Sequence, residues 1–196
     1  MTPLDRRRCG PCAACCVVLK IDTPELRKKA RVPCQHLTAS GCGIYASRPG
    51  VCQQFLCGWR LFGELGDDWR PNLSGVLILR NAPDELPAAW RGAPYGAHLV
   101  IIGGEEAVLR PAFADYVVRL IAQDIPVLMS AASPYIVLNE HIEAGTDKAL
   151  LRTRLGELYA LLHAARFGES LWKRIRFLYR LQIDRQRQKF LVKSNT

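Results

Sequence analysis

No stretch of this sequence is long and apolar enough to span a bilayer: runs such as Val76 to Leu79 and Leu99 to Ile102 fall far short of the roughly 18 residues a spanning helix needs. Arg6, Arg7 and Arg8 lead into the cysteines without an intervening apolar h-region, so no cleavable secretory signal is expected. Cysteine is missing from the 139 residues (196 minus 57) that follow Cys57. No internal repeat or low-complexity tract is present, which excludes solenoids and linker arrays. No Walker A lysine follows a glycine-rich loop, and Gly103 with Gly104 lacks the rest of a dinucleotide fingerprint, so no nucleotide or methyl-donor site is expected.

What is present is a chain of 196 residues, 49% hydrophobic, with a net charge of +9. That is one or at most two domains, too apolar for disorder. A core of this size folds without crosslinks, so the 8 cysteines are not needed as staples. With no sign of export the expected location is the cytoplasm, where dense cysteine binds metal or does redox chemistry more often than it forms disulfides.

Charge and cysteine divide the chain into three. Residues 1–70 hold every cysteine and carry 11 basic and 6 acidic groups, residues 71–169 carry 8 and 11, and residues 170–196 carry 8 and 1. The expected organisation is a cysteine module over 1–70, a small α/β segment over 71–169 and a basic helical tail over 170–196. In the middle, Val76 to Leu79, Leu99 to Ile102, Val127 to Met129 and Ile136 to Leu138 are short apolar runs with turn residues nearby, the pattern of buried strands. Phe113, Tyr116, Val117, Leu120 and Ile121 have helical spacing behind Pro111, so a strand, helix, strand unit is expected. Asn81 to Gly96 reads as a long loop. Leu151, Leu155, Leu158, Leu162 and Ala165 mark an amphipathic helix between Thr146, the expected N-cap, and Gly168. The fold class is therefore α+β or α/β: a metal-stabilised, loop-rich module packed on an α/β segment, with C-terminal helices.

The chemistry is concentrated in Cys9, Cys12, Cys15, Cys16, Cys34, Cys42, Cys52 and Cys57. Two-residue gaps let a turn converge two sulfurs on one ion, and Gly10 with Pro11 favours such a turn. One such pair would be a weak signal; three cysteines at that spacing with five more close by are a strong one.

The same residues carry a resemblance. Cys9, Cys12, Cys15 and Cys16, then Cys34, His36 and Leu37, then Gly41, Cys42, Ile44, Tyr45, Arg48, Pro49, Cys52, Phe55 and Cys57 match the motif of the zinc- or iron-chelating cysteine-cluster (YkgJ-like) family. The chain resembles that family over residues 9 to 59 only. The resemblance implies metal binding in a bacterial type of intracellular protein, and a similar module accompanies a flagellin lysine methylase, so the module can sit beside an enzyme without being one.

The metal stays open between an iron–sulfur cluster and zinc. Cys9, Cys12 and Cys15 match the start of a bacterial ferredoxin run, but Leu19 stands at its fourth position, which excludes ferredoxin itself. Cys34 could supply a remote fourth thiolate to an iron–sulfur cluster, and eight thiolates would also fill two tetrahedral zinc sites. Cys15 and Cys16, taken as extended backbone, point apart and are expected to serve separate sites. A thiolate-ligated centre is anionic, and Lys20 and Arg48 lie close in sequence to offset it; the run Arg6 to Arg8 reads as a solvated terminus. His36, Arg48 and Tyr45 are expected beside the ligands and not on the metal, and Tyr45 and Phe55 are expected to exclude water.

Other leads are weaker. Pro11, Cys12 and Cys15 with His141 and Glu143 echo the halves of a zinc deaminase motif, but in reversed order. His98, His141 and His163 stand apart in sequence. The function expected is thus a structural or redox metal-binding module. The alternative is an enzyme or electron carrier whose cluster faces a pocket in the α/β segment. In the tail, Lys173, Arg176, Arg180 and Arg187 recur at helical spacing behind Leu171, Ile175 and Leu178, which suits an acidic protein partner. Nucleic acid is a lesser expectation, since the tail lacks an aromatic stacking platform.

Overall fold

The structure is a computed structural model that describes residues 7–131, 134–143, 145–167 and 179. The tail residues Leu171, Lys173, Ile175, Arg176, Leu178, Arg180 and Arg187, and Gly168, lie outside them. The architecture is α+β, in two compact units, Met1–Ile78 and Leu79–Thr196. The first unit reaches past the charge boundary at residue 70 because Trp69, Val76, Leu77 and Ile78 are core residues, three of which composition alone assigns to the next segment.

The N-terminal unit has little regular structure. It opens with a turn at Gly10 and Pro11, then helix α1, Ala14–Val18. Two short hairpins follow, β1 (Ile21–Asp22) against β2 (Arg27–Lys28) and β3 (Leu37–Thr38) against β4 (Gly41–Cys42). Three brief helices, α2 (Gly50–Gln54), α3 (Gly58–Leu61) and α4 (Pro71–Ser74), complete it. Glycine makes two of these packings possible. Gly41 has φ +113, and a Cβ there would stand 2.7 Å from the Gly10 carbonyl oxygen; at Gly58 it would meet Ile78 at 2.5 Å. Both lie next to cysteines, Cys42 and Cys57.

Strand β5, Val76–Asn81, edges a sheet of order β5-β6-β7-β8. Here β6 is Gly96–Ile101, β7 is Val127–Ser130 and β8 is Tyr135–Val137. Strands β6 and β7 are parallel, Ala97 opposite Val127 through Val100 opposite Ser130, and β8 turns back antiparallel. The expected strand, helix, strand unit is present. Between β6 and β7 lie α5, Gly104–Leu109, and α6, Pro111–Ala122. α6 buries Phe113, Tyr116, Val117 and Leu120. α5 escapes the periodicity because it is too short to repeat its pattern. The expected loop is present over 82–95 and carries two 3-10 turns, with Asn81 and Gly96 belonging to the flanking strands β5 and β6.

Helix α7, Lys148–Phe167, buries Leu151, Leu155, Leu158, Leu162 and Ala165 as the spacing predicts. Its cap differs from expectation. The Asp147 carboxylate accepts the N–H groups of Ala149 at 2.9 Å and Leu150 at 3.2 Å, the two bonds an N-cap makes. Thr146 instead donates its hydroxyl to the Glu143 carbonyl at 2.8 Å. Among the described residues no helix is long and apolar enough to cross a membrane.

Candidate metal centre

All eight cysteines are free thiols, with Cys34 and Cys57 buried and the others partly so. They line two adjoining cavities within the N-terminal unit. The larger, about 170 Å³, is bordered by seven of them, every one except Cys57. The smaller, about 30 Å³, is bordered by Cys9, Cys12, Cys15, Cys52 and Cys57.

Backbone bonds bring these positions together across the sequence. The Cys12 N–H donates to the Cys9 carbonyl at 3.0 Å, closing the expected turn, where Gly10 has φ +54. The Cys34 N–H donates to the Cys16 carbonyl at 2.9 Å, and the Leu37 N–H to the Cys34 carbonyl at 3.0 Å. Leu37 in turn pairs with Cys42 across the β3–β4 hairpin. Cys52 sits within α2, and Cys57 is the N-cap of α3, where its carbonyl accepts the Arg60 N–H at 2.8 Å.

Cys15 and Cys16 are not in extended backbone as expected; both lie in α1. On a helix, successive side chains diverge by about 100°, so the two neighbouring thiols address different directions. Their mutual interaction raises Cys15 and lowers Cys16; burial raises both, and the charges of Lys28 and Arg48 further lower Cys16. Burial raises Cys52, reinforced by Cys16, Cys34 and Cys42 and opposed by Arg48. Burial also raises Cys57, reinforced by Cys9 and Cys12 and opposed by the backbone N–H groups of Arg60 and Trp59.

Cations surround the thiols. Arg48 borders both cavities and stacks on Tyr45, its guanidinium carbon 3.8 Å from the ring centre. His36, Tyr45 and Phe55 also line the larger cavity. Lys28 is a member of the site that sequence reasoning misses. Its buried ammonium donates to the carbonyls of Val17 at 3.0 Å, Leu19 and Lys29, tying down the end of α1. Burial lowers its pKa against the pull of Cys34, Cys16 and Cys15. Nothing in the run Arg27, Lys28, Lys29 distinguishes it, because alternation on a two-residue strand is no signal. Arg7 departs from the solvated terminus expected of it. It donates to the carbonyls of Trp59, Phe62, Gly63 and Leu65 and lies 5.6 Å from the centre of the Trp59 ring, whereas Arg8 is exposed.

Two observations bear on whether the site fits a metal. Among the described residues, no group of three or more His, Cys, Asp or Glu is arranged to hold a single metal ion. Against this, the buried N–H groups Arg48 Nε, Arg60 Nε and Trp59 Nε1, all on residues bordering the smaller cavity, have no acceptor among the described residues. Unmatched buried donors cost stability, and a thiolate centre is an anion that would accept them. Donor chemistry, cavity and counter-charge therefore fit a thiolate-ligated group.

The histidines outside the module serve the core and surface. His98 Nε2 shares a hydrogen bond of 2.8 Å with the buried Ser130 hydroxyl, His141 is buried and His163 is exposed beside Tyr159. Set against family models, curated proteins and solved structures, the chain matches none of them.

Proposed function

We propose that this protein is a thiolate-ligated metal-binding module, structural or redox, whose ligands are Cys9, Cys12, Cys15, Cys16, Cys34, Cys42, Cys52 and Cys57. The observation that carries the reading is the convergence of eight free thiols, drawn from 49 residues of sequence (9 to 57), on two adjoining cavities of one unit. The resemblance of residues 9 to 59 to the zinc- or iron-chelating cysteine-cluster family supports it. So do the three buried N–H groups without acceptors among the described residues.

The centre is an iron–sulfur cluster or zinc. Four sulfurs at about 2.3 Å from one zinc would lie only about 3.8 Å apart. A cavity of about 170 Å³ bordered by seven thiols has room for a cluster, which spaces its ligands further. When bound, such a group supplies either a rigid crosslink or a site for one electron. The protein's residues hold it by thiolate, balance its charge through Lys28 and Arg48, and wall it with Tyr45 and Phe55.

Free thiolate ligands imply a reducing, cytoplasmic setting. The cavities belong to the cysteine unit itself, which favours a self-contained module over an enzyme using a pocket in the α/β segment. An electron carrier is the second reading, since exposed Val51 is among the residues bordering the larger cavity, which so reaches the surface. The basic tail, with eight cations against Asp184 over residues 170–196, would dock an acidic partner. Metal and acid-labile sulfide analysis of protein purified without oxygen tests the function. Bound metal supports it, sulfide with iron identifies a cluster, zinc without sulfide identifies the alternative, and metal-free folded protein overturns it.

A further inference from the structure

Resting on the reading above, we infer that the eight cysteines form two separate centres of four: Cys9, Cys12, Cys15 and Cys57 at the smaller cavity, and Cys16, Cys34, Cys42 and Cys52 at the larger.

Cavity borders give the division. Cys57 borders only the smaller cavity, whereas Cys16, Cys34 and Cys42 border only the larger. The backbone groups the same residues. Cys9 and Cys12 close one turn, while Cys16, Cys34 and Cys42 are linked in series through the Cys34 N–H bond to Cys16 and the Leu37 pairing with Cys42. Cys52 borders both cavities; with Cys9 and Cys12 joined in one turn and Cys15 directed away from Cys16, it is the thiol left to complete the larger centre. The divide falls between Cys15 and Cys16, whose directions on α1 differ by about 100°, so one helical turn supplies a ligand to each centre. Arg60 and Trp59, each with a buried N–H that has no acceptor among the described residues, border the smaller cavity alone, and Arg60 brings it a positive charge.

The test is metal content of the full chain, purified without oxygen, for Cys57→Ser, Cys42→Ser and the double variant. Two centres predict that each single variant keeps the part of the metal that the other loses, and that the double variant keeps none. Adding Cys9→Ser to Cys57→Ser should cost nothing further. If either single variant loses all the metal, or neither loses any, the division is wrong. Metal-free native protein would overturn the metal reading itself, a distinct result. Where a variant does not fold, stepwise chelation of the native protein with alkylation of released thiols decides: two groups of four support the division, and simultaneous release of all eight overturns it.

Discussion

The backbone N–H of Cys34 donates to the carbonyl of Cys16 across 2.9 Å, so a cysteine eighteen positions downstream is pinned to the end of the first cluster before any ligand is considered. With Cys42 held behind it by the β3–β4 hairpin, the fold supplies a scaffold on which the remaining thiols close. That scaffold has specific supports, and each can be removed.

Lys28 is one. Its ammonium donates to two carbonyls at the end of α1, Val17 and Leu19, and to that of Lys29, and Lys28→Met keeps the length while leaving them without this donor. We expect a loss of about 1 to 3 kcal/mol in the N-terminal unit. Hydrogen exchange should quicken over residues 14–19 while residues 97–167 stay unchanged.

Gly41 is another. Its φ of +113 and the Gly10 carbonyl oxygen, 2.7 Å from where a Cβ would stand, oppose any side chain, so Gly41→Ala should cost about 1 to 3 kcal/mol. The hairpin carrying Cys42 would be displaced from the first cysteine turn. Urea unfolding followed by tryptophan fluorescence should register the lowered midpoint, and bound metal should fall with it.

In the sheet, His98 gives a pH dependence with a definite sign. Burial depresses its pKa to about 4 from the ordinary 6.5, so the folded chain holds it neutral while the unfolded chain takes up a proton below about 6.5. Its contribution is intact above that pH and is lost as pH falls from about 6.5 to about 4, amounting to about 3 kcal/mol at most. His98→Gln should remove this part of the slope. Urea unfolding of both proteins across that window checks it, and parallel curves would contradict it.

Much of the second unit is legible in the sequence because its elements are long enough to repeat. Five positions from Leu151 to Ala165 declare α7 by spacing, and all five are buried; the valine and isoleucine runs likewise declare the strands. The motif also brings the eight cysteines into one reading, and they do line adjoining cavities. What sequence does not reveal is what rests on single contacts. Lys28 and Arg7 look like members of solvated basic runs, yet one ties α1 and the other fastens the chain to the carbonyls around Trp59. The backbone of Cys15 and Cys16 escapes prediction because a five-residue helix, α1, is too short to announce itself by periodicity. Asp147 against Thr146 is a choice between adjacent capping residues, which only hydrogen bonds decide.

Removal of metal should separate the two units' behaviour. Ligation is expected to stabilise the loop-rich cysteine unit strongly, whereas the sheet and α7 have a full apolar core. Chelation, or Cys12→Ser, should therefore raise hydrogen exchange over residues 9–57 and leave residues 97–167 protected. Equal protection before and after chelation would remove ligation as the source of the module's stability.

The most direct test of the central claim is X-ray absorption at the metal edge on protein purified without oxygen. Thiolate ligation predicts a first shell of sulfur at about 2.3 Å, with iron neighbours beyond it if the centre is a cluster. A first shell of oxygen and nitrogen alone, or no stoichiometric metal in the folded protein, would contradict it.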